Sequence, residues 1–438
     1  MPNMRTTDRH HGGRGPRRLR LLAVLVAATV PLALVEASPS ALAGGGGVGN
    51  DASTTATDFH AWTSLTDFAS GHTSGGAMVT SRGGGALTLR AGSSYGAWTS
   101  PSYQTGFGIT ELVSSWQAMT PRDSWVATQL SVDVGNRWSP WFTMGKWAFT
   151  TDAIKRTSVP GQDNAYGYIS IDTYFAHSGD HAAAYRLREQ LYGSSQARPT
   201  VREVAAVAFA PERPTYHPSQ TTMSQTVDLE VPQYSQETHH GEYSRFGGGG
   251  EAWCSPTSTE MIVEYWGRGP SKADIKSLPP NKKYDHHGRE DGSVDWAAIH
   301  TYDKNYGGTG NWPFNTAYAS HYGLDGTVRQ YDSLRSLEGW VKRGVPAVVS
   351  IAWNNKSKNQ RLHLDGADIK STGGHLIVVR GFTGMGDVIA NDPASRDNAA
   401  VRHVYRRDQF EFLWLHASAG VVYLIKPYRI AGHAGANG

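Results

Sequence analysis

Residues 59–210 are divided by turn residues into short segments, several of which alternate apolar and polar side chains. The segments are ALTLRA, YGAWTSP, ELVSSWQAM, WVATQLSVDV, SPWFTMGKWAF, YGYISIDTYF, AAYRLREQLYG and VREVAAVAFA. A two-residue period is typical of a strand with one buried face, and strands at intervals of roughly 10 to 15 residues favour antiparallel pairing. We therefore predict an all-β sandwich of jelly-roll type for residues 59–210. The composition agrees, since 50 glycines, 14 tryptophans and 20 tyrosines suit a β-rich chain with many tight turns.

A change of composition separates this region from the rest of the chain. Residues 211–229, PERPTYHPSQTTMSQTVDL, contain three prolines and few apolar side chains, which is typical of a linker. Beyond the linker, helical spacing predicts four helices, at residues 257–266, 294–302, 312–322 and 333–343. The segments AVVSIAW, HLIVVRGF, DVIANDP and GVVYLIKP are predicted strands. Helices followed by an antiparallel sheet indicate an α+β domain, over residues 230–430.

The first 43 residues have the pattern of an export signal. An apolar run, LLAVLVAATVPLALV, follows a basic segment that contains Arg14, Arg17, Arg18 and Arg20. Ala41-Leu42-Ala43 then supplies the small residues that a signal peptidase accepts. The apolar run is shorter than the roughly 20 residues needed to cross a bilayer. We expect a secreted, extracellular or cell-wall associated protein with no stable membrane span after signal removal. Residues 44–58 would form a flexible lead-in, and Sec and twin-arginine export both remain open.

The distribution of charge and of histidine argues against nucleic-acid, metal and cofactor partners. The formal charge is +3, and the lysines and arginines after the signal form no basic stripe that could follow a phosphate backbone. His239-His240 and Asp285-His286-His287 lie in polar segments, and neither has a third ligand at ordered spacing. We therefore expect no nucleic acid, no metal and no cofactor.

Cys254 is the only cysteine in the chain, within GGGGEAWCSPTSTEM. A free thiol outside the cell is exposed to oxidation, so it is either a small buried apolar residue or a nucleophile. Ser255-Pro256 and the following helix place it at a helix N-terminus, because proline favours the first helical turn. The partial positive charge and free N–H groups there lower a thiol's pKa and can receive an oxyanion. This position favours the nucleophile.

A base and an orienting group for this thiol are suggested by a predicted hairpin. His375 opens the strand HLIVVRGF, and the next strand, DVIANDP, ends in Asn391-Asp392. The link Thr383-Gly384-Met385-Gly386 is typical of a tight turn, which would bring His375 to within about two residues of facing Asp392. An imidazole beside a carboxylate is the pair that nucleophilic catalysis requires. An ordinary hairpin with a polar end is the alternative.

A third candidate is Gln236, which ends the segment Val231-Pro232-Gln233-Tyr234-Ser235-Gln236. Its side-chain amide could donate to an oxyanion together with the Cys254 backbone N–H. A glutamine in a loop is normally solvated, so the residues alone do not assign this role.

The order of these segments resembles the C39-like cysteine peptidases. The resemblance rests on VPxxxQ, a cysteine at a helix start, GGHLIVV and VIANDPA, and it covers about Val231 to Pro427. It implies a papain-like fold with Cys254 as nucleophile, His375 as base, Asp392 as orienting group and Gln236 as oxyanion donor. The whole chain is similar to exported actinobacterial members with a β-rich N-terminal domain.

Two features of the chain differ from the best-known members, which cleave leader peptides while fused to a membrane transporter. This chain has no transporter segment, and the interval from Gln236 to Cys254, ETHHGEYSRFGGGGEA, is long for a papain-like domain. Gln233 therefore competes with Gln236 as the oxyanion donor. Asn391 competes with Asp392, since papain uses asparagine there; the two side chains point to opposite faces, so only one can reach His375.

These observations predict a secreted cysteine peptidase that hydrolyses peptide bonds through a thioester intermediate, with a peptide or protein as substrate. One alternative is a thiol amidase acting on cell-wall peptides. Another is a catalytically inactive cell-surface or carbohydrate-binding protein, whose N-terminal domain contacts cell-wall or other glycans. That domain contains six tryptophans that could stack on sugar rings or instead fill the core: Trp98, Trp116, Trp125, Trp138, Trp141 and Trp147.

Overall fold

The computed structural model describes residues 56–211, 216–280 and 291–428. The predicted export signal and most of the predicted lead-in lie outside the described residues. Within the described ranges, no helix has both the length and the apolar character required to cross a bilayer.

The regular secondary structure of the described chain up to residue 211 is almost entirely β-strand. Its helix, α1, spans Leu65–Ser70 and begins with a capping box, in which Ser64 and Asp67 exchange side-chain to backbone hydrogen bonds. The strands are β1 (Ala56–Trp62), β2 (His72–Gly75), β3 (Ala77–Thr80), β4 (Ala86–Leu89), β5 (Tyr95–Thr99), β6 (Tyr103–Ile109), β7 (Glu111–Met119), β8 (Trp125–Val134), β9 (Arg137–Trp138), β10 (Phe142–Trp147), β11 (Asp163–Asn164), β12 (Gly167–Ser170), β13 (Thr173–Phe175), β14 (Ala182–Tyr192) and β15 (Thr200–Ala210).

These strands form two antiparallel sheets. One has the order β11-β12-β13-β7-β15-β4-β3, with β1 also paired to β15. The other has the order β10-β8-β14-β5-β2, with β6 paired to β14 and β9 to β8. Apolar side chains from both sheets belong to one buried cluster, which explains the two-residue period of the sequence. The segment predicted as the single strand YGYISIDTYF is instead the hairpin β12–β13, because Ile171 adopts a left-handed conformation with φ 58°.

The sheet that contains β7 and β15 is covered on both faces. Both strands are buried over most of their length and do not alternate between buried and exposed residues. Val113, Val207 and Phe209 on these strands form a buried cluster with Val328 and Val421 of the C-terminal region. The N-terminal domain therefore packs directly on the C-terminal domain.

The C-terminal domain combines helices with a third antiparallel sheet. Its helices are α2 (Cys254–Tyr265), α3 (Lys272–Lys276), α4 (Gly292–Thr301), α5 (Trp312–His321), α6 (Leu334–Val341) and α7 (Arg407–Ser418). Its strands are β16 (Val227–Asp228), β17 (Asp325–Gln330), β18 (Ala347–Asn354), β19 (Ser371–Phe382), β20 (Val388–Asn391), β21 (Arg402–Tyr405) and β22 (Val421–Lys426). The sheet order is β17-β22-β18-β19-β20-β21, with β16 paired to β19.

The four predicted helices and four predicted strands of this domain are present, with shifted ends. Strand β19 begins four residues earlier than predicted, because Ser371 and Thr372 pair with the end of β18. His375 consequently lies within the strand and does not open it. Helices α3 and α7 and strands β16, β17 and β21 were not predicted from the sequence.

Residues of the predicted linker are held against the C-terminal domain. Ser219 donates from its backbone N–H and its hydroxyl to Glu411 of α7, at 2.8 and 2.6 Å. Thr221 and Thr222 donate their hydroxyls to Glu338 of α6, each at 2.6 Å. This part of the linker is thus fixed by carboxylates from two helices.

The six tryptophans of the N-terminal domain divide into two groups. Trp98, Trp116 and Trp147 are fully buried and serve as core. Trp125, Trp138 and Trp141 are partly exposed, and the guanidinium of Arg188 lies 3.8 Å from the ring centroid of Trp141. Only the second group remains available for the predicted contact with sugar rings.

Arg156 links the two domains in the interior of the protein. Its buried guanidinium donates to the carbonyls of Ala148 and Phe149 in the N-terminal domain, at 2.6 and 3.0 Å. It also donates to the carbonyls of Ile299 and Tyr302 in the C-terminal domain, at 2.9 and 3.2 Å. One side chain therefore satisfies four carbonyls, two from each domain.

Candidate active site

Cys254 is the first residue of α2. The residue before it, Trp253, caps the helix without a side-chain hydrogen bond, so the capping residue does not occupy the amides of the first turn. Pro256 lies in this first turn, where its missing N–H costs no helical hydrogen bond. Cys254 is partly exposed, while the next nine residues of the helix are buried. A reactive group at the end of a rigid buried helix is both accessible and fixed.

Two hydroxyl groups hold this end of α2 against the sheet. Ser258 donates to the carbonyl of Leu376, at 3.0 Å, and Leu376 directly follows His375 on β19. The hydroxyls of Ser255 and Tyr423 lie 2.9 Å apart, which connects the helix to β22. These hydrogen bonds hold the start of α2, and with it Cys254, next to β19.

His375 and Asp392 are in direct contact. Nε2 of His375 lies 2.7 Å from Oδ1 of Asp392, and both residues are buried. The Thr383–Gly386 turn is present, and the register places Val378 opposite Asn391, so that Asp392 is two residues from the position facing His375. The hairpin predicted from the sequence therefore brings these two side chains together.

Asp392 is held by further donors. Its Oδ1 accepts the backbone N–H of Ala394 at 2.9 Å, and its Oδ2 accepts the hydroxyl of Tyr405 at 2.9 Å. Tyr405 comes from β21, a strand that the sequence analysis missed. The ring of Trp353 stands edge-on to His375, with a centroid distance of 5.4 Å. These two aromatic residues belong to the site although no sequence motif marked them.

Asn391 points away from His375. Its Nδ2 donates to the carbonyl of Pro232 at 2.9 Å, and its Oδ1 accepts from Arg380 at 3.2 Å. Between the two candidates that the sequence left open, Asp392 is the one placed against the histidine.

The electrostatics favour an ion pair between Cys254 and His375. Burial opposes the thiolate, but a hydrogen bond from His375, its positive charge and the backbone N–H of Leu376 together lower the pKa of Cys254 below its ordinary value. Burial likewise opposes the imidazolium, but the charge and hydrogen bond of Asp392, with the thiol, raise the pKa of His375 to about 10. Since Nε2 faces Asp392, Nδ1 is the nitrogen left for the thiol.

These pKa shifts predict the pH dependence of thiol alkylation. The rate of reaction of Cys254 with iodoacetamide should rise with a midpoint below the ordinary thiol pKa of 9.0, because the thiolate is the reacting form. In His375→Ala the midpoint should move above that of wild type, since burial then acts without the imidazolium. Intact-mass measurement follows the reaction without ambiguity, because the chain has one cysteine. Equal midpoints in the two proteins would contradict the ion pair.

Gln236 lies close to the chain that leads into Cys254. It begins a 3₁₀ turn, Gln236–His239, and its backbone N–H donates to the carbonyl of Pro393, beside Asp392, at 2.8 Å. Its Nε2 donates to the carbonyl of Glu251 at 3.0 Å and to Oε1 of Glu237 at 3.2 Å. The other candidate, Gln233, donates to the carbonyl of Asn398 at 3.3 Å. Gln236 is the more buried of the two glutamines. Its hydrogen bonds connect it both to Pro393, next to Asp392, and to Glu251, which precedes Cys254 in the chain.

The long interval between Gln236 and Cys254 is folded. Gly247, Gly248 and Gly249 all have positive φ, which only glycine adopts without strain at such values as 110° and 123°. A Cβ atom on Gly250 would meet the backbone of Gln236 and His239, so the glycine run allows the insertion to return closely to the Gln236 turn. Trp253 is buried and donates to the carbonyl of Phe246 at 2.6 Å.

Two family models match adjoining parts of the chain. Residues 58–208 match the Peptidase C39 N-terminal domain, and residues 228–421 match the Peptidase_C39 like family. No curated protein matched the chain.

Among solved structures, the chain is similar to a "putative C39-like peptidase from Bacillus anthracis", with 15% identity over 47% of this chain and 100% of that one, at a TM-score of 0.29. It is also similar to TmCBM61 in complex with beta-1,4-galactotriose, with 11% identity over 33% of this chain and 91% of that one, at a TM-score of 0.21. TM-scores this low support no conclusion about fold or function. The conclusion rests on the two family models instead. Through residues 228–421 the chain belongs to the C39-like peptidase family, and residues 58–208 match the N-terminal domain that precedes it.

Proposed function

We propose that this protein is a secreted cysteine peptidase that hydrolyses peptide bonds through Cys254, His375 and Asp392. The observation that carries the proposal is the 2.7 Å contact of His375 with Asp392, beside a thiol at the first residue of α2. A helix packed on an antiparallel sheet, with the nucleophile on the helix and the base on the sheet, supports the papain-like α+β arrangement. Export is part of the proposal because of the basic and apolar segments before Ala43.

Acylation begins with the thiolate of Cys254. Its sulfur attacks the carbonyl carbon of the scissile peptide bond, and the carbonyl oxygen becomes an oxyanion. The imidazolium of His375 then gives its Nδ1 proton to the nitrogen of the leaving amine as the C–N bond breaks. The products of this half-reaction are a free amine and a thioester on Cys254.

Deacylation uses one water molecule. His375, now neutral, takes a proton from the water, whose oxygen attacks the thioester carbonyl. The C–S bond breaks and releases the carboxylic acid product, which restores the thiolate and the imidazolium. Each turnover thus consumes one water and yields one acid and one amine.

Asp392 orients the base and stabilises its charged form. Burial opposes the carboxylate, but the charge and hydrogen bond of His375, the N–H of Ala394 and the hydroxyl of Tyr405 together lower the pKa of Asp392 below its usual range. A carboxylate that stays ionised keeps the Nε2 proton on His375, so that Nδ1 exchanges its proton with the substrate.

The oxyanion would be stabilised by the N-terminus of α2 and by Gln236. The backbone N–H of Cys254 and the positive end of the helix dipole face the growing negative charge. Of the two hydrogen bonds that Gln236 Nε2 donates, the one to Glu237 is longer, at 3.2 Å. We expect this bond to exchange for the oxyanion when a substrate is bound.

Substitution of the two glutamines separates the candidates for oxyanion donor. Gln236→Ala should lower kcat by about 10²- to 10³-fold with little change in KM, because the interaction is made only in the transition state. Gln233→Ala is the matched control and should leave kcat close to that of wild type. Steady-state kinetics with a peptide identified from a library would measure both. A larger loss in Gln233→Ala than in Gln236→Ala would reverse the assignment.

A further inference from the structure

A second cluster of ionisable groups lies in the insertion between Gln236 and Cys254. His239 ends the 3₁₀ turn that begins at Gln236, Glu242 follows three residues later, and Asp295 comes from α4. Nδ1 of His239 lies 3.1 Å from Oε2 of Glu242 and 3.2 Å from Oδ1 of Asp295. The exposed fractions of the three residues are only 6%, 6% and 4%.

Hydrogen bonds among the described residues leave two atoms of this cluster unsatisfied, Oδ1 of Asp295 and Nε2 of His239. Nδ1 of an imidazole carries at most one hydrogen, so it cannot donate fully to two carboxylates. Although Oδ1 of Asp295 is near Nδ1 of His239, it is buried and accepts no hydrogen bond within the described part of the chain. Burial of a carboxylate oxygen without a donor is costly, and a bound cation would remove this cost.

The spacing of the three groups matches a metal coordination shell. The ligand atoms of His239, Glu242 and Asp295 all lie within 4.8 Å of one another. Neighbouring ligands are about 3 Å apart in a six-coordinate site with bonds near 2.1 Å, and about 3.3 Å apart around tetrahedral zinc. The contacts from Nδ1 of His239 fall in this range. Calcium and magnesium prefer oxygen ligands alone, whereas a nitrogen with two carboxylates suits zinc or manganese.

We propose that His239, Glu242 and Asp295 bind a divalent first-row transition-metal ion, such as zinc or manganese. The sequence predicted no metal at His239-His240, because no third ligand lies nearby along the chain; in the structure α4 supplies it as Asp295. The ion would join the insertion to α4. The ion would also fix the 3₁₀ turn that carries Gln236. The value of this for catalysis rests on the proposed function, whereas the metal site itself does not.

Zinc binding to the metal-stripped full chain tests this proposal. Cys254→Ala is the background for every measurement, because a thiol beside an imidazole is itself a zinc site. After treatment with EDTA and its removal, isothermal titration with zinc chloride should show one tight site per chain. At saturating zinc, the Tm should rise by about 5 °C, since a ligand that binds only the folded state stabilises it.

Single substitutions in this background locate the site. Asp295→Asn and Glu242→Gln should each weaken zinc binding by more than about 100-fold, because loss of an outer-shell partner alone costs 10- to 100-fold. His240→Ala is the matched control, since this neighbouring histidine is largely exposed, and it should bind as the background protein does. Circular dichroism identifies any variant that fails to fold.

Two results would overturn the metal site. The first is the absence of zinc and manganese binding by the folded Cys254→Ala protein, which needs no further variant. The second is binding that survives in Asp295→Asn and Glu242→Gln but is lost in His240→Ala. Neither result depends on peptidase activity, so this proposal and the proposed function can fail separately.

Discussion

Replacement of Cys254 by alanine is expected to lower peptide hydrolysis by at least about 10⁴-fold, because removal of a nucleophile eliminates covalent catalysis. The side chain is small and partly exposed at the start of α2, so the fold should be retained. Incubation of both proteins with a peptide library, followed by mass spectrometry of the new termini, measures the effect. Turnover by Cys254→Ala near that of wild type would refute nucleophilic catalysis by this residue.

Substitutions of His375 and Asp392 extend this test, because the expected losses of activity differ in size. His375→Ala should act almost as severely as Cys254→Ala, since it removes both the base and the charge that stabilises the thiolate. Asp392→Ala should be less severe than His375→Ala, by about 10²-fold, because the imidazole remains but loses its orientation. His240→Ala serves as a histidine control, with its side chain 69% exposed. The order of these effects distinguishes a triad from a thiol that acts alone.

Replacement of Arg156 by methionine is expected to destabilise the protein by about 3 to 5 kcal/mol, the range for breaking a buried charged contact. Methionine keeps the apolar stem but removes the donor of four carbonyls, of which those of Ala148 and Phe149 are buried. Burial lowers the pKa of Arg156 to about 9 against the opposing effect of Asp303, so the side chain is still charged at neutral pH. Urea unfolding measures the loss in free energy.

Arg122→Met is the matched control for this substitution. The Arg122 side chain is 77% exposed and pairs with Asp152 on the surface. Such pairs contribute about 0 to 1 kcal/mol, so the control should unfold close to wild type. An Arg156→Met protein as stable as Arg122→Met would show that the carbonyls find other donors and that this side chain does not join the domains.

Local sequence patterns predicted much of the fold, because burial and turn chemistry act over short distances. The alternation in AAYRLREQLYG predicted β14, whose odd-numbered positions from Tyr185 to Leu191 are buried. Helix α2 and the Thr383–Gly386 turn followed from proline and glycine positions. Burial on both faces of β7 and β15 could not be predicted, since it depends on a second domain that packs on the sheet.

The candidate site was predicted where its groups are joined by a hairpin, and missed where they are not. His375 and Asp392 lie on neighbouring strands, so their proximity followed from turn position alone. Tyr405, Trp353 and Asp295 reach their partners from separate elements, and no local pattern links them to the cysteine or to His239. The spacing of ligands along the sequence also argued against a metal at His239. The positions of His239, Glu242 and Asp295 in the structure favour one.

Alkylation of the single cysteine, measured together with peptidase activity, tests whether Cys254 is the nucleophile. Wild-type protein is treated with iodoacetamide in limiting steps, and the modified fraction from intact mass is compared with the remaining peptide hydrolysis. Because Cys254 is the only thiol, each adduct reports on one residue. Activity is expected to fall in proportion to modification and to reach zero at one adduct per chain. Full modification with hydrolysis retained, or no cleavage of any library peptide by the unmodified protein, would contradict this expectation.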